Sequence, residues 1–151
     1  MPSSVHSIVI NASLQETWGF VGSFNNWAPL MPGYIKHELK SDQEAIWDFL
    51  GDFGFVKKNV SLLVHQIKIE DHSKLSFKLQ GINDNFDGSG YFQVEELSEN
   101  QTKITGSLDI SAGGFMGAMI NNVLKTFVPK TTNEIVESIG NQLIEKNESI
   151  S

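Results

Sequence analysis

Four histidines, no cysteine and no arginine narrow the chemistry open to this chain. Without cysteine there are no disulfides, thiolate metal ligands or cysteine nucleophiles. His37 falls in phase with the apolar Ile35 and Leu39, and His65 sits where an apolar alternation changes phase. Either is a candidate acid or base in a cavity, against the plainer reading of a hydrogen-bonded histidine in a wet interior. His6 and His72 are expected at the surface. None has a partner at the His-x-Glu or His-x-x-x-His spacing of a metal site, so no metal or other cofactor is expected. Asp48 and Asp52 share one strand face, but at about 3.3 Å per residue they lie roughly 13 Å apart, beyond the reach of a paired-carboxylate glycosidase. The stretch from Asn83 resembles part of a calcium loop at Asn85, Asp87 and Gly88. Its twelfth position is Val94 rather than Glu, however, and no helices flank it. Gly88-Ser89-Gly90 lies inside a strand pattern, where glycine marks a bulge or a close backbone approach rather than a nucleotide loop.

The remaining chemistry is apolar. Phe115, Met116 and Met119 lie together beside Gly113, Gly114 and Gly117, at the start of a helical pattern. Methionine is flexible and polarizable, so such a surface adapts to varied apolar shapes. Ordinary packing of an amphipathic helix is the competing explanation. A second apolar concentration, Ser23 to Gly33 (SFNNWAPLMPG), holds Trp27, Leu30 and Met31 among breakers. Pro29 and Pro32 lack a backbone donor, so the segment cannot continue long as helix or strand.

The elements that would position these residues follow from periodicity. Ser4 to Ile10 reads as a strand. Ser13 and Glu16 then have capping-box spacing, with Leu14, Trp18 and Val21 on one helical stripe. After Gly33 the period is two: Ile35, His37 and Leu39; Trp47, Phe49 and Phe53; Leu75, Phe77 and Leu79; Ile104, Leu108 and Ile110. Phe55 to Glu70 is mostly strand, with a phase shift near Leu62-Leu63-Val64-His65 that indicates a bulge. Turn signals (SDQ, EDHS, INDNFDGSG, SENQ) separate these runs, which gives about six strands in an antiparallel meander. Met116, Met119, Ile120, Val123, Phe127, Ile135, Ile139 and Leu143 then form a long helical stripe, and Pro129 predicts a kink or break in it.

At 151 residues, 40% hydrophobic and 19% charged, the chain has the composition of one globular domain spanning 1–151. A net charge of −7, with lysine as the only strongly basic residue, excludes nucleic acid as a natural partner. The N-terminus lacks a basic leader with an apolar block, and no apolar run approaches the roughly 20 residues of a membrane helix. A cytoplasmic location is the expectation.

The order strand, helix, broken helix, antiparallel strands, long helix resembles the helix-grip fold of the START-like (SRPBCC) superfamily, which includes the birch-pollen allergen and polyketide cyclases. This is an α+β architecture with a curved antiparallel sheet wrapped around a long C-terminal helix. FVGSFNNWAPLMPG, FDGSGYFQV and TKITGSLDISAGGFMGAMINNVL, in that order, are similar to the G-subunit family of carbon monoxide dehydrogenases nearly end to end.

That resemblance implies a binding or carrier protein, not an enzyme, for a hydrophobic small molecule of quinone or lipid type. It also implies service to a carbon monoxide dehydrogenase-type enzyme and transient contact with a membrane or an enzyme partner. The superfamily's other activities imply an alternative, a cyclase, dehydratase or hydrolase using a cavity histidine as acid–base. By shared phase, the ligand pocket is expected among Trp27, Met31, Trp47, Phe49, Phe77, Met116, Met119, Ile120 and Val123. The broken segment Asn25 to Gly33 and the start of the long helix are expected to form its entrance.

Overall fold

The computed structural model describes residues 2–54 and 57–150, with side chains described up to residue 144. Phe55 and Val56, which begin the expected long strand, lie outside the described residues. Seven strands form one sheet: β1 (Ser3–Ile10), β2 (Tyr34–Ser41), β3 (Glu44–Asp52), β4 (Lys57–Glu70), β5 (Lys74–Gly81), β6 (Phe86–Ser98) and β7 (Gln101–Ala112). Their order across the sheet is β1-β7-β6-β5-β4-β3-β2, and every neighbouring pair is antiparallel. Strands β2 to β7 are thus a plain meander, and β1 closes on its last member. Between β1 and β2 come α1 (Leu14–Val21), α2 (Phe24–Trp27) and a 3-10 turn (Ala28–Leu30). The closing helix, α3 (Gly117–Ile150), packs against β7 and β1.

Each element has a local cause. In α1 the Ser13 hydroxyl accepts from the Glu16 amide at 3.1 Å, and the Glu16 carboxylate reaches back to the Ser13 amide at 3.4 Å. This is the reciprocal cap that its spacing predicts. The β4–β5 turn places Asp71 and His72 at positive φ, with the Ser73 amide donating to the Glu70 carbonyl. That is the primed turn whose twist suits a tight hairpin. The bulge expected near His65 appears between His65 and Lys68, where Gln66 has φ 51°. Pro129 does not break α3, which runs through it as one helix. Val128, Thr131, Thr132 and Ile135 are buried around the proline, and this packing supplies what the missing N–H withholds.

The core lies between the sheet's inner face and the helices. Ala45, Trp47 and Phe49 on β3, Val60, Leu62 and Val64 on β4, and Leu75, Phe77 and Leu79 on β5 alternate inward. Leu124, Val128, Ile135, Ile139 and Leu143 supply the buried stripe of α3. His6, expected at the surface, points inward from β1 with its side chain 28% exposed, and its Nε2 lies 2.9 Å from a Glu137 carboxylate oxygen of α3.

The junction from the broken segment into β2 is a type II turn. Pro32 occupies its second position and Gly33, at φ 77°, its third, while the Tyr34 amide donates to the Met31 carbonyl at 2.9 Å. A Cβ at Gly33 would also meet the Leu50 carbonyl at 2.1 Å. Gly33→Ala is therefore expected to cost at least about 2 kcal/mol, read by urea unfolding. A loss within about 0.5 kcal/mol would show that the turn relaxes freely.

Candidate functional site

The nine residues expected to line one pocket occupy two distinct places. Trp27, Met31, Trp47, Phe49 and Phe77 are all at most 4% exposed and belong to a filled core. Trp27 is its hub. The ring centroid lies 4.9 Å from that of Phe24, 5.6 Å from Trp47, 5.6 Å from Phe77 and 4.6 Å from Phe92. The indole N–H of Trp27 donates to the Val21 carbonyl at 3.0 Å, and that of Trp47 donates to the Ala28 carbonyl at 3.0 Å. Buried indoles need such partners, and here one is the last carbonyl of α1 and the other a carbonyl of the 3-10 turn. Gly90 makes room for this cluster, since a Cβ there would sit 2.6 Å from the Phe77 ring. The expected close approach at Gly88 to Gly90 is thus realised, and no bulge falls within that stretch.

Met116, Met119, Ile120 and Val123 do line a cavity, of about 260 Å³, at the start of α3. Its other walls are Phe53 after β3, Lys58 on β4, Asp84 and Asn85 between β5 and β6, Phe86 on β6, Ala112 at the end of β7 and Gly113 after it. These strand ends meet at one end of the sheet, so the antiparallel topology itself collects them. Phe53 is braced by Phe127 of α3, with ring centroids 4.9 Å apart. Beyond Phe53 and Phe86 a second void of only about 10 Å³ touches Phe49 and Leu62. Phe49 thus lies behind the cavity rather than on its wall.

Asn121 fixes the helix start. Its side-chain oxygen accepts from the Ala112 amide at 2.7 Å, and its side-chain amide donates to the Ala112 carbonyl at 2.9 Å. The Gly113 amide donates to the Asn85 carbonyl at 2.9 Å, and Gly114 turns the chain at φ 78°. The result is a projecting turn in which Phe115 is fully exposed, with Met116 and Met119 about half exposed. The entrance therefore lies between this turn, Lys58 and Asp84. No residue of the stretch 25–33 borders the cavity, so that segment is a plug and not half of a gate. The reason is steric: Trp27 and Met31 fill the space that a channel from that side would need.

No histidine lines the cavity. The His37 ring is held by the Tyr34 hydroxyl at Nδ1, 2.7 Å, and by the Asn25 side-chain oxygen at Nε2, 2.8 Å, against the Phe24 ring. His65 follows the buried Val64 on β4 and faces the opposite side of the sheet. Among the described residues no three metal-ligating side chains come together, and no helix is long and apolar enough to cross a membrane. Asp87 and Gly88 of the calcium-like stretch stand in β6, paired with β5 and β7.

Sequence reasoning placed Gly113 at the expected entrance but did not assign Phe53, Lys58, Asp84, Asn85, Phe86 or Ala112 to the cavity that they line. Phe86 opens the same glycine-paired strand and carried a usable signal in its phase. Lys58 and Asp84 carried none, because their meeting is set by two hairpins distant in sequence.

A curved antiparallel sheet gripping one long helix, with a cavity at the mouth between them, defines a START-type domain. Known structures share it. The chain superimposes on a Thermus thermophilus protein with TM-score 0.75 and 12% identity, covering 96% of this chain and 99% of that one. An aromatase/cyclase of a Streptomyces species gives 0.71 and 11%, covering 95% and 94%. A START superfamily protein of Mycobacterium smegmatis gives 0.70 and 14%, covering 95% and 97%. No curated protein matches in sequence. One family model matches residues 1–146, and the chain belongs to that family, with the fold of the START (SRPBCC) superfamily.

Trp27→Ala is expected to destabilise the fold by about 4 kcal/mol in urea unfolding, since it empties the aromatic hub and strands the Val21 carbonyl. A loss below about 1 kcal/mol would mean that the hub is not the keystone of the core.

Proposed function

We propose that this protein is a carrier for a hydrophobic small molecule, quinone- or lipid-like, which it holds in the cavity at the start of α3. The observation that carries the proposal is the cavity's composition. Phe53, Phe86, Ala112, Met116, Met119, Ile120 and Val123 surround about 260 Å³ and leave Lys58, Asp84 and Asn85 as its polar contacts. Small-molecule sites are concave, mostly apolar and equipped with a few placed polar groups. The volume is near the lower end of such sites, so it suits one ring system or the end of a chain rather than a whole prenyl quinone.

The methionines favour transport over chemistry. Their unbranched side chains adapt to different ligands and stand half exposed at the opening, where a ligand has to enter and leave. The resemblance to the G-subunit family of carbon monoxide dehydrogenases supports a role as accessory to an enzyme of that kind, in the cytoplasm, with transient contact with a membrane or with the enzyme itself. The enzymatic alternative asks for a histidine in the cavity, and His37 and His65 are both elsewhere.

Titration with a water-soluble short-chain quinone, followed through the methionine methyl resonances, tests the reading. Met116 and Met119 should shift while the buried Met31 stays still. Met119→Lys, at a half-exposed position, should keep the fold and weaken binding by at least about tenfold, roughly 1.4 kcal/mol. Binding unchanged by that substitution would place the ligand elsewhere.

A further inference from the structure

The cavity's rim carries a charge pair with no role in its apolar walls. Lys58 Nζ lies 3.1 Å from Asp84 Oδ1, the lysine side chain half exposed and the aspartate 21% exposed. Lys58 stands near the start of β4 and Asp84 in the loop between β5 and β6, so the pair ties two hairpins together beside the entrance. Phe86, Ile120 and Val123 line the cavity with apolar surface, which leaves this rim as the place for a ligand's polar end.

We propose that the Lys58–Asp84 pair makes the site select an apolar molecule that ends in a neutral carbonyl oxygen over one that ends in a carboxylate. The proposal rests on the carrier reading above and deepens it. An ammonium has three N–H donors and no acceptor, and Asp84 uses one of them. A ketone, ester or quinone oxygen accepts a second and leaves the local charge balanced. A carboxylate places a second anion beside Asp84 with one cation to share between them. Like charges a few ångströms apart repel strongly where water is partly excluded. The carboxylate also surrenders more hydration on entering than a neutral carbonyl does.

The test compares two ligands of matched length. At roughly 30 Å³ per non-hydrogen atom, the share of a water molecule in the liquid, the cavity's volume of about 260 Å³ accommodates about nine such atoms. 2-Octanone and octanoate fit that length, and octanoate is ionised at neutral pH. Each is titrated into the whole protein with methyl-labelled methionine, Met116 and Met119 reporting the cavity and Met31 reporting the intact core. The ketone is expected to bind about fivefold tighter or more than octanoate, the size of effect one charge-assisted hydrogen bond supports. Asp84→Asn should narrow or reverse that preference, because it removes the competing anion. Lys58→Gln should weaken the ketone several-fold. Octanoate binding as tightly as 2-octanone in the unaltered protein overturns the proposal, and so does a preference that Asp84→Asn leaves untouched. If neither compound moves Met116 or Met119, the carrier reading itself fails, an outcome distinct from a reversed preference.

Discussion

With its indole nitrogen bonded to the Val21 carbonyl and its ring against Phe24, Trp47, Phe77 and Phe92, Trp27 fills the hollow of the sheet where the chain turns from its first helices into β2. Much else depends on that one side chain. It is completely buried, and burying an aromatic of that size is among the larger single contributions available to a domain. To seat it, the chain must break after α2 and use the 3-10 turn and the Pro32-Gly33 turn to reach β2. In that turn the Ala28 carbonyl accepts from both the Met31 amide and the Trp47 indole. Prolines, glycine and tryptophans thus solve one packing problem together.

Because the hub is dense, it does not extend to the far edge of the sheet. There α3 is held off by its own start: Asn121 grips both backbone groups of Ala112, and Gly113 and Gly114 turn the chain outward before the helix begins. Phe53, Phe86, Ile120 and Val123 then face one another across a gap. The interior is divided into a packed half that holds the fold and an open half that can take a ligand. The side chains that form the aromatic hub and those that line the cavity are therefore largely different residues.

Much of the architecture was legible in the sequence because it rests on local rules. The capping box at Ser13 and Glu16 and the alternation in β3, β5 and β7 appear where residue chemistry places them. The bulge after His65 was legible to within a few residues. Site residues were harder. Phase reports which face a side chain takes but not how deeply it sits, so Trp27 and Trp47 read the same whether they line a pocket or fill a core. Met116, Met119, Ile120 and Val123 meet on one cavity wall because they share a helix. Lys58 carried no signal in the sequence, since its partner Asp84 reaches it only through folding. His6 shares the face of Ile8 and Ile10 on β1, a phase the sequence showed, and only its partner Glu137 was out of reach of local rules.

On the carrier reading, a hydrophobic ligand occupies the cavity at the start of α3 while the aromatic hub stays closed. A crystal structure of the protein with a bound short-chain quinone tests it most directly. The quinone ring is expected among Phe86, Met116, Ile120 and Val123, with Trp27 and Trp47 unmoved. A quinone seated between Trp27 and Trp47, or on the outer face of the sheet with the cavity vacant, would contradict it.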